Sequence, residues 1–159
     1  MGTEEIFSEI AKHRTPDWEN GAYRNIPREK AAKYQELIRD AFPDNCNVIP
    51  FGYDWLGRIF AADGELNAKM YDVATNEVFI IADIENFFKT ELAECADDLI
   101  CADLYEEWLQ SGGEKPTADH CIGYKVPLFL GGEDEFDNYE LSDIDVYWTI
   151  TGQLKNAKQ

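Results

Sequence analysis

The sequence predicts an α+β fold: an antiparallel β-sheet with helices packed on it, two helices ahead of the sheet and one at the C-terminal end. Apolar residues recur at helical spacing in the first 44 residues, and four short β-rich runs follow between 48 and 82. Helical spacing then returns in 97–110. Separate groups of helices and strands are typical of this class. Because 159 residues suit one domain, we expect a single domain, 1–159, with a helical segment at 1–44 and an α+β core at 45–156.

Two helices and a loop are predicted ahead of the sheet. Thr3 is a candidate N-cap for a helix over 3–13, whose apolar residues form one stripe. Residues 15–26 contain Pro, Asn and Gly and are predicted as a loop. Pro27 then opens a second helix at the position that proline favours. Pro43 and the polar residues after it end this helix.

The sheet is predicted from four runs rich in β-branched and aromatic residues. They cover 48–53, 58–62, 69–73 and 77–82, and short turns separate the first pair and the last pair. This order predicts an antiparallel meander of four strands.

The remaining segments are predicted one by one. Asp83 is a candidate cap for a helix over 84–90, and 97–110 has the clearest helical periodicity in the chain. A loop is expected over 114–123. The apolar run 124–130 contains a proline, which favours an edge strand. The tail 142–154 fits either a strand or a helix, and Ser142 followed by Asp145 resembles a capping box, which favours the helix.

The acidity of the chain restricts its partners. Lys and Arg total 14 against 32 Asp and Glu, and the net charge is −18. Such a charge opposes binding to nucleic acid and to anionic membranes, and it favours a basic protein partner through salt-sensitive attraction. The alternative is that acidity serves solubility alone. No apolar run is long enough to span a bilayer and no secretory signal is present, so we expect a cytoplasmic protein.

No motif for catalysis is found. The four cysteines form no C-x-x-C pair and are expected to be small buried apolar residues. His120 precedes Cys121, but neighbours in sequence seldom aim their side chains at one another. No nucleophile elbow and no phosphate-binding loop is present. We therefore expect no catalytic residue, no metal and no cofactor.

A calcium site is the strongest chemical alternative. The candidate ligands crowd into 12 residues: Asp134, Asp137, Asn138, Glu140, Asp143 and Asp145. The EF-hand spacing nevertheless fails, because Phe136 stands at the third position and no glycine at the sixth. A looser calcium site and a solvated acidic loop both remain open.

Two stretches of sequence indicate a family. The first is IPFGYDWLGRIFA at 49–61, and the second is CIGYKVPLFLGGED at 121–134, continued by DIDVYW at 143–148 and GQL at 152–154. Together they resemble the C-terminal domain of bacterial immunity proteins that neutralise type VI secretion DNase effectors, a group related to the SUKH (SMI/KNR-like) immunity proteins. The resemblance covers about 45–156. Many relatives carry a longer, GAD-like N-terminal domain, and this sequence departs from them there.

The resemblance implies a non-enzymatic antitoxin that occludes the basic active-site surface of one cognate toxin, a nuclease, and is a monomer or a small homo-oligomer. Two patches are predicted to bind this partner. The first is an acidic loop with two aromatic anchors: Glu133, Asp134, Glu135, Phe136, Asp137 and Tyr139. The second is a turn: Tyr53, Asp54, Trp55 and Arg58. Alternatively, the loop solvates a turn, Asp54 pairs with Arg58, and Trp55 lies in the core. The alternative function is a regulatory or scaffold module of the same fold.

Overall fold

The computed structural model, which describes residues 1–158, confirms the α+β fold. Its helices are α1 (Thr3–His13), α2 (Ala31–Ala41), α3 (Ile84–Asn86), α4 (Ala96–Ile100), α5 (Ala102–Gln110) and α6 (Ile144–Lys158). Its strands are β1 (Tyr23–Asn25), β2 (Ile49–Asp54), β3 (Ile59–Ala62), β4 (Asn67–Asp72), β5 (Glu77–Asp83), β6 (His120–Tyr124) and β7 (Tyr139–Asp143). Short 3₁₀ turns at Arg28–Lys30, Leu128–Leu130 and Phe136–Asn138 and a π-helical segment at Phe87–Leu92 complete the chain.

The main sheet is an antiparallel meander in the order β1-β2-β3-β4-β5. The four predicted strands are confirmed, each within two residues of its expected bounds. The prediction of a loop over 15–26 is wrong at its end, because β1 pairs with β2, with Tyr23 opposite Asp54. A strand of three residues has too little alternation to be recognised in sequence, and its partner strand decides its conformation.

Helices cover both faces of this sheet. On one face, α1, α3, the π-helical segment, α4 and α5 enclose a cluster rich in aromatic residues, including Phe51, Phe60 and Phe87. On the other face, α2 and α6 pack over Tyr53, Ile59 and Tyr71. Every residue of β2 and β3 is buried as a result. The central strands are therefore a rigid support for the turns at their ends.

The helix ends follow the sequence signals in part. Gly2, and not Thr3, is the N-cap of α1, and it has no side-chain bond to offer. Asp83 caps α3 as predicted, with its carboxylate accepting from the backbone N–H of Asn86 at 2.8 Å. For α6, Asp143 takes the role expected of Ser142, accepting from the N–H groups of Asp145 and Val146.

The helix predicted over 97–110 is broken at Cys101. This residue is left-handed, with φ of 53°, and it separates α4 from α5. The indole of Trp55 donates to the carbonyl of Ile100 at 2.8 Å, and the guanidinium of Arg58 donates to that of Leu99 at 3.1 Å. In an unbroken helix these carbonyls would accept from N–H groups four residues later. Tertiary donors thus replace the helical bonds.

Two predictions in the following segment are wrong. His120–Tyr124 is a strand, where the end of a loop was expected, and the run 124–130 contains a 3₁₀ turn in place of an edge strand. β6 pairs with β7 in a separate two-stranded sheet, with Tyr124 opposite Tyr139. Fourteen residues, 125–138, separate the two strands, so no tight-turn signal marks their pairing. The acidic loop lies in this connection.

Candidate functional site

A single asparagine closes the acidic loop, Glu133–Asp137, at its base. The amide nitrogen of Asn138 donates to the carbonyls of Val126 and Glu133, both at 2.9 Å, and its amide oxygen accepts from the N–H of Val126 at 2.9 Å. Gly132 lies so close to Val126 that an added Cβ would collide with its carbonyl oxygen. Asn138 was not predicted as a site residue. Asparagine commonly replaces backbone partners in turns, and this was the available signal.

Asp134 fastens the loop from inside. One of its carboxylate oxygens accepts from the hydroxyl of Tyr139 at 2.5 Å and from that of Tyr124 at 3.1 Å. Burial raises the pKa of both tyrosines, and the neighbouring carboxylate of Asp134 adds to this effect. Both hydroxyls therefore stay protonated and remain donors. Among the predicted loop carboxylates, Asp134 is the one that accepts hydrogen bonds from other side chains of the protein.

The two predicted aromatic anchors face the protein. Phe136 is half-buried and packs against Trp108, with ring centroids 5.5 Å apart. Tyr139 is only 4% exposed and lies among Trp55, Trp108 and Tyr124. These contacts hold the loop against α5 and β6. Whether either ring also meets a partner stays a prediction.

The other carboxylates of the loop point to solvent. Glu133, Glu135 and Asp137 are exposed and line a shallow groove of about 320 Å³ beside the exposed Val126. Residues 131–138 contain no lysine or arginine. The structure thus brings together three unneutralised carboxylates on a clamped segment.

The second predicted patch is interior. Asp54 is 1% exposed, and its carboxylate accepts from the N–H groups of Leu56 and Arg58 and from the guanidinium of Arg58 at 2.7 Å. Burial raises the pKa of Asp54, against the effect of Arg58. Burial also opposes the charge on Arg58, but Asp54 outweighs it, and the pKa of Arg58 is raised. This guanidinium stays charged, and Asp54 is its counter-ion.

The aromatic members of this patch join several elements. Trp55 is fully buried, and its carbonyl accepts from the N–H of Ile122 in β6. The hydroxyl of the buried Tyr53 accepts from the N–H of Asp119 at 2.8 Å. The alternative interpretation, in which Asp54 pairs with Arg58 and Trp55 belongs to the core, describes the structure. Contact of these four residues with a partner has no support from their exposure.

The cysteines and the candidate metal ligands are the remaining side chains that were considered for chemistry. Cys121 is buried, and burial raises the pKa of its thiol. The other three cysteines are half-buried, so the expectation of four buried cysteines is correct for Cys121 alone. Across residues 1–158, no cluster of three or more His, Cys, Asp and Glu side chains is arranged to hold a metal ion.

No helix in the described part of the chain is long and apolar enough to cross a membrane.

Comparison with known proteins gives a family match and similar solved structures. Residues 82–155 match the profile of the family described as T6SS immunity protein Tdi1, C-terminal. The fold is similar to the crystal structure of Atu4351 from Agrobacterium tumefaciens, with a TM-score of 0.60 and 17% identity over 96% of this chain and 81% of that one. No curated protein sequence matches the chain.

The family match confirms the resemblance seen in sequence. It contains the second of the two stretches, 121–134 with its continuation, and the whole acidic loop, whereas 49–61 lies outside it. Residues 82–155, a little under half of the chain, are therefore similar to the C-terminal domain of the type VI secretion system immunity protein Tdi1.

Proposed function

We propose that this chain is an antitoxin that binds one cognate secreted toxin, a nuclease, and blocks its basic active-site surface through the acidic loop. The observation that carries this proposal is the exposed row of Glu133, Glu135 and Asp137 on a clamped loop inside the segment that matches the immunity family. The chain acts in this proposal as a binding protein in the cytoplasm, with one domain and without catalysis.

Electrostatics supports a basic partner. A nuclease binds DNA through a cleft that attracts phosphates, and exposed carboxylates present negative charge to the same cleft. The loop carboxylates have no cation within their own segment, and the whole chain carries −18. Attraction of this kind accelerates association and weakens as salt rises.

The hydrogen bonds that already hold the loop in place favour tight binding. Ordering a mobile segment on association costs free energy, and a segment held in place beforehand avoids much of this cost. Asn138 and Asp134 hold the base and the inner side of the loop before any partner arrives. In the proposal, the turn at Asp54–Arg58 supports this arrangement indirectly, because Trp55 packs against Tyr139.

The decisive experiment uses two triple variants with the same change in charge. Glu133→Gln/Glu135→Gln/Asp137→Asn removes the loop carboxylates, and Glu36→Gln/Glu94→Gln/Asp98→Asn removes three exposed carboxylates elsewhere. Binding to the effector encoded by the adjacent gene is measured at low and high salt. We expect the loop variant to lose roughly 10- to 100-fold in affinity at low salt, with a shallower salt dependence, and the control to lose less than about threefold.

Each outcome is decisive. If the wild-type chain does not bind the effector or protect cells from it, the antitoxin function is rejected. If both variants lose affinity equally, general acidity attracts the toxin and the loop is not the interface.

A further inference from the structure

The two edge strands of the main sheet differ in length and in exposure. β1 ends one side with three residues, and its Tyr23 is fully buried. β5 ends the other side with seven residues, and no strand among residues 1–158 pairs with its outer edge. A long unpaired edge is a template for another chain, and natural proteins usually shorten it, charge it or cover it. The β1 edge has this protection, and the β5 edge lacks most of it.

The side chains of β5 are apolar and accessible. Five successive apolar residues, Val78–Ala82, form its centre, without lysine or proline. Phe79 is 41% exposed and Ile80 is 68% exposed. They pair with Met70 and Lys69 and therefore lie on opposite faces of the sheet. An added strand would find apolar side chains on both sides and, between them, backbone groups that no strand among residues 1–158 pairs with.

The first half of β5, from Glu77 to Ile80, pairs regularly with β4. The pairing of β4 with β5 shifts register between Ala68 and Lys69, which leaves Ile81 without a partner. The half from Glu77 to Ile80 continues without a shift. The accessible template is thus about four residues long.

The charges at the two ends of β5 indicate which kind of segment fits its outer edge. Glu77 begins the strand and Asp83 ends it, and both are exposed. A second copy paired antiparallel about Ile80 would have to cross the irregular step at Ile81, and it would bring Glu77 of each copy near Asp83 of the other, where like charges are destabilising. Two chains of net charge −18 would also repel each other. A segment with basic residues at its ends fits these charges.

The start of β5 adjoins the segment that leads into the acidic loop. The N–H of Phe129 donates to the carbonyl of Ala74, in the turn between β4 and β5, at 3.1 Å. Leu130, the next residue, is exposed and stands three positions before Glu133. The unpaired edge and the loop carboxylates can therefore contact one partner.

We propose that the outer edge of β5 binds an extended segment of the toxin that pairs along Glu77–Ile80, with apolar residues at its centre and Lys or Arg near Glu77 and, beyond the irregular step at Ile81, near Asp83. This inference rests on the proposed function and adds a second contact to it: the acidic loop attracts the basic toxin, and β5 pairs with one of its strands.

The test compares two isoleucines with lysine introduced at each. Ile80→Lys places a charge on the edge, and Ile150→Lys makes the same change on α6, where Ile150 is 52% exposed. Affinity for the effector encoded by the adjacent gene is measured for both, with melting temperatures as the check on folding. We expect Ile80→Lys to lose at least tenfold in affinity and Ile150→Lys less than threefold. In the wild-type complex, amide hydrogen exchange should slow within Glu77–Ile80.

The outcomes separate this inference from the function itself. A wild-type complex in which both lysine variants bind equally, or in which the amides of β5 gain no protection, overturns the docking strand and leaves the antitoxin intact. A wild-type dimer in sedimentation that Ile80→Lys dissociates also overturns it, because the occupant is then a second copy. No wild-type complex rejects both proposals.

Discussion

The turn at Asp54–Arg58 and the acidic loop are both short segments with carboxylates and aromatic residues, yet they lie in opposite environments. In the turn, Asp54 has a cation four residues on and two backbone donors, and the whole group is buried. In the loop, all four carboxylates belong to exposed residues and have no cation in the segment, and Asp134 alone accepts from tyrosine hydroxyls. The comparison teaches that the donors available to a carboxylate, and not its residue type, decide whether it is buried in the fold or stays in solvent.

The largest expected effect is in the turn. Asp54→Ala leaves the charge of Arg58 buried and unpaired, and loss of one member of a buried pair costs about 3–5 kcal/mol. Denaturant unfolding measures this loss. Glu135→Ala in the loop is the control, expected within about 0.5 kcal/mol of wild type. Similar losses in both variants would remove the distinction between the two regions.

Asp134 should behave as an intermediate case, because it is the one loop carboxylate with internal partners. Asp134→Ala leaves two tyrosine hydroxyls without their acceptor, and we expect a loss of about 1–3 kcal/mol in the free energy of unfolding. Asp137→Ala is the matched control. Equal stability of these two variants would show that the loop is not held from inside.

Asp119 extends the comparison to pH. Its carboxylate accepts from Lys30 at 2.6 Å and from the hydroxyl of Tyr34 at 2.7 Å. Burial acts to raise its pKa, but these two hydrogen bonds and the charges of Lys30 and Lys33 together outweigh burial and lower the pKa below the usual 3.8. The stability gained is present above about pH 3.8 and is lost as the pH falls through the lowered pKa.

Asp119→Asn tests this linkage without disturbing the backbone, because asparagine also accepts the positive φ of this position. We expect a lower melting temperature than wild type at pH 7 and a smaller difference at pH 2. A constant difference across this range would contradict the assignment.

The smallest effect on stability is expected from the triple loop variant. Removing three exposed charges changes the net charge from −18 to −15. In the described part of the chain, the side chains of Glu133, Glu135 and Asp137 form no hydrogen bond or ion pair that the substitutions would break. The free energy of unfolding should stay within about 0.5 kcal/mol of wild type. A larger loss would mean that these carboxylates support the loop.

Local signals in the sequence were sufficient for much of the fold. The meander was predicted because each strand follows the previous one after a short turn, and Asp83 was recognised as a cap because its partner is three residues away. Pairings between distant segments could not be predicted this way: β1 forms only against β2, and β6 pairs with β7 across an irregular connection.

The residues of the candidate site also divide into those that local sequence identifies and those that depend on partners elsewhere in the chain. The acidic loop was recognisable from composition, and the pairing of Asp54 with Arg58 was foreseen as an alternative because the two residues are close in sequence. The clamp by Asn138 and the acceptor role of Asp134 depend on partners that only the folded chain brings near.

The break at Cys101 has a consequence for the order of folding. Local preference favours one continuous helix over 97–110, and a left-handed cysteine is an unfavourable way to interrupt it. The interruption becomes favourable once Trp55 and Arg58 present their donors. If the segment is helical through Cys101 in the unfolded chain, it loses that conformation when the β2–β3 hairpin packs against it. An isolated 96–110 peptide should show this conflict as helicity that runs through Cys101, a non-native shape that the native contacts then correct.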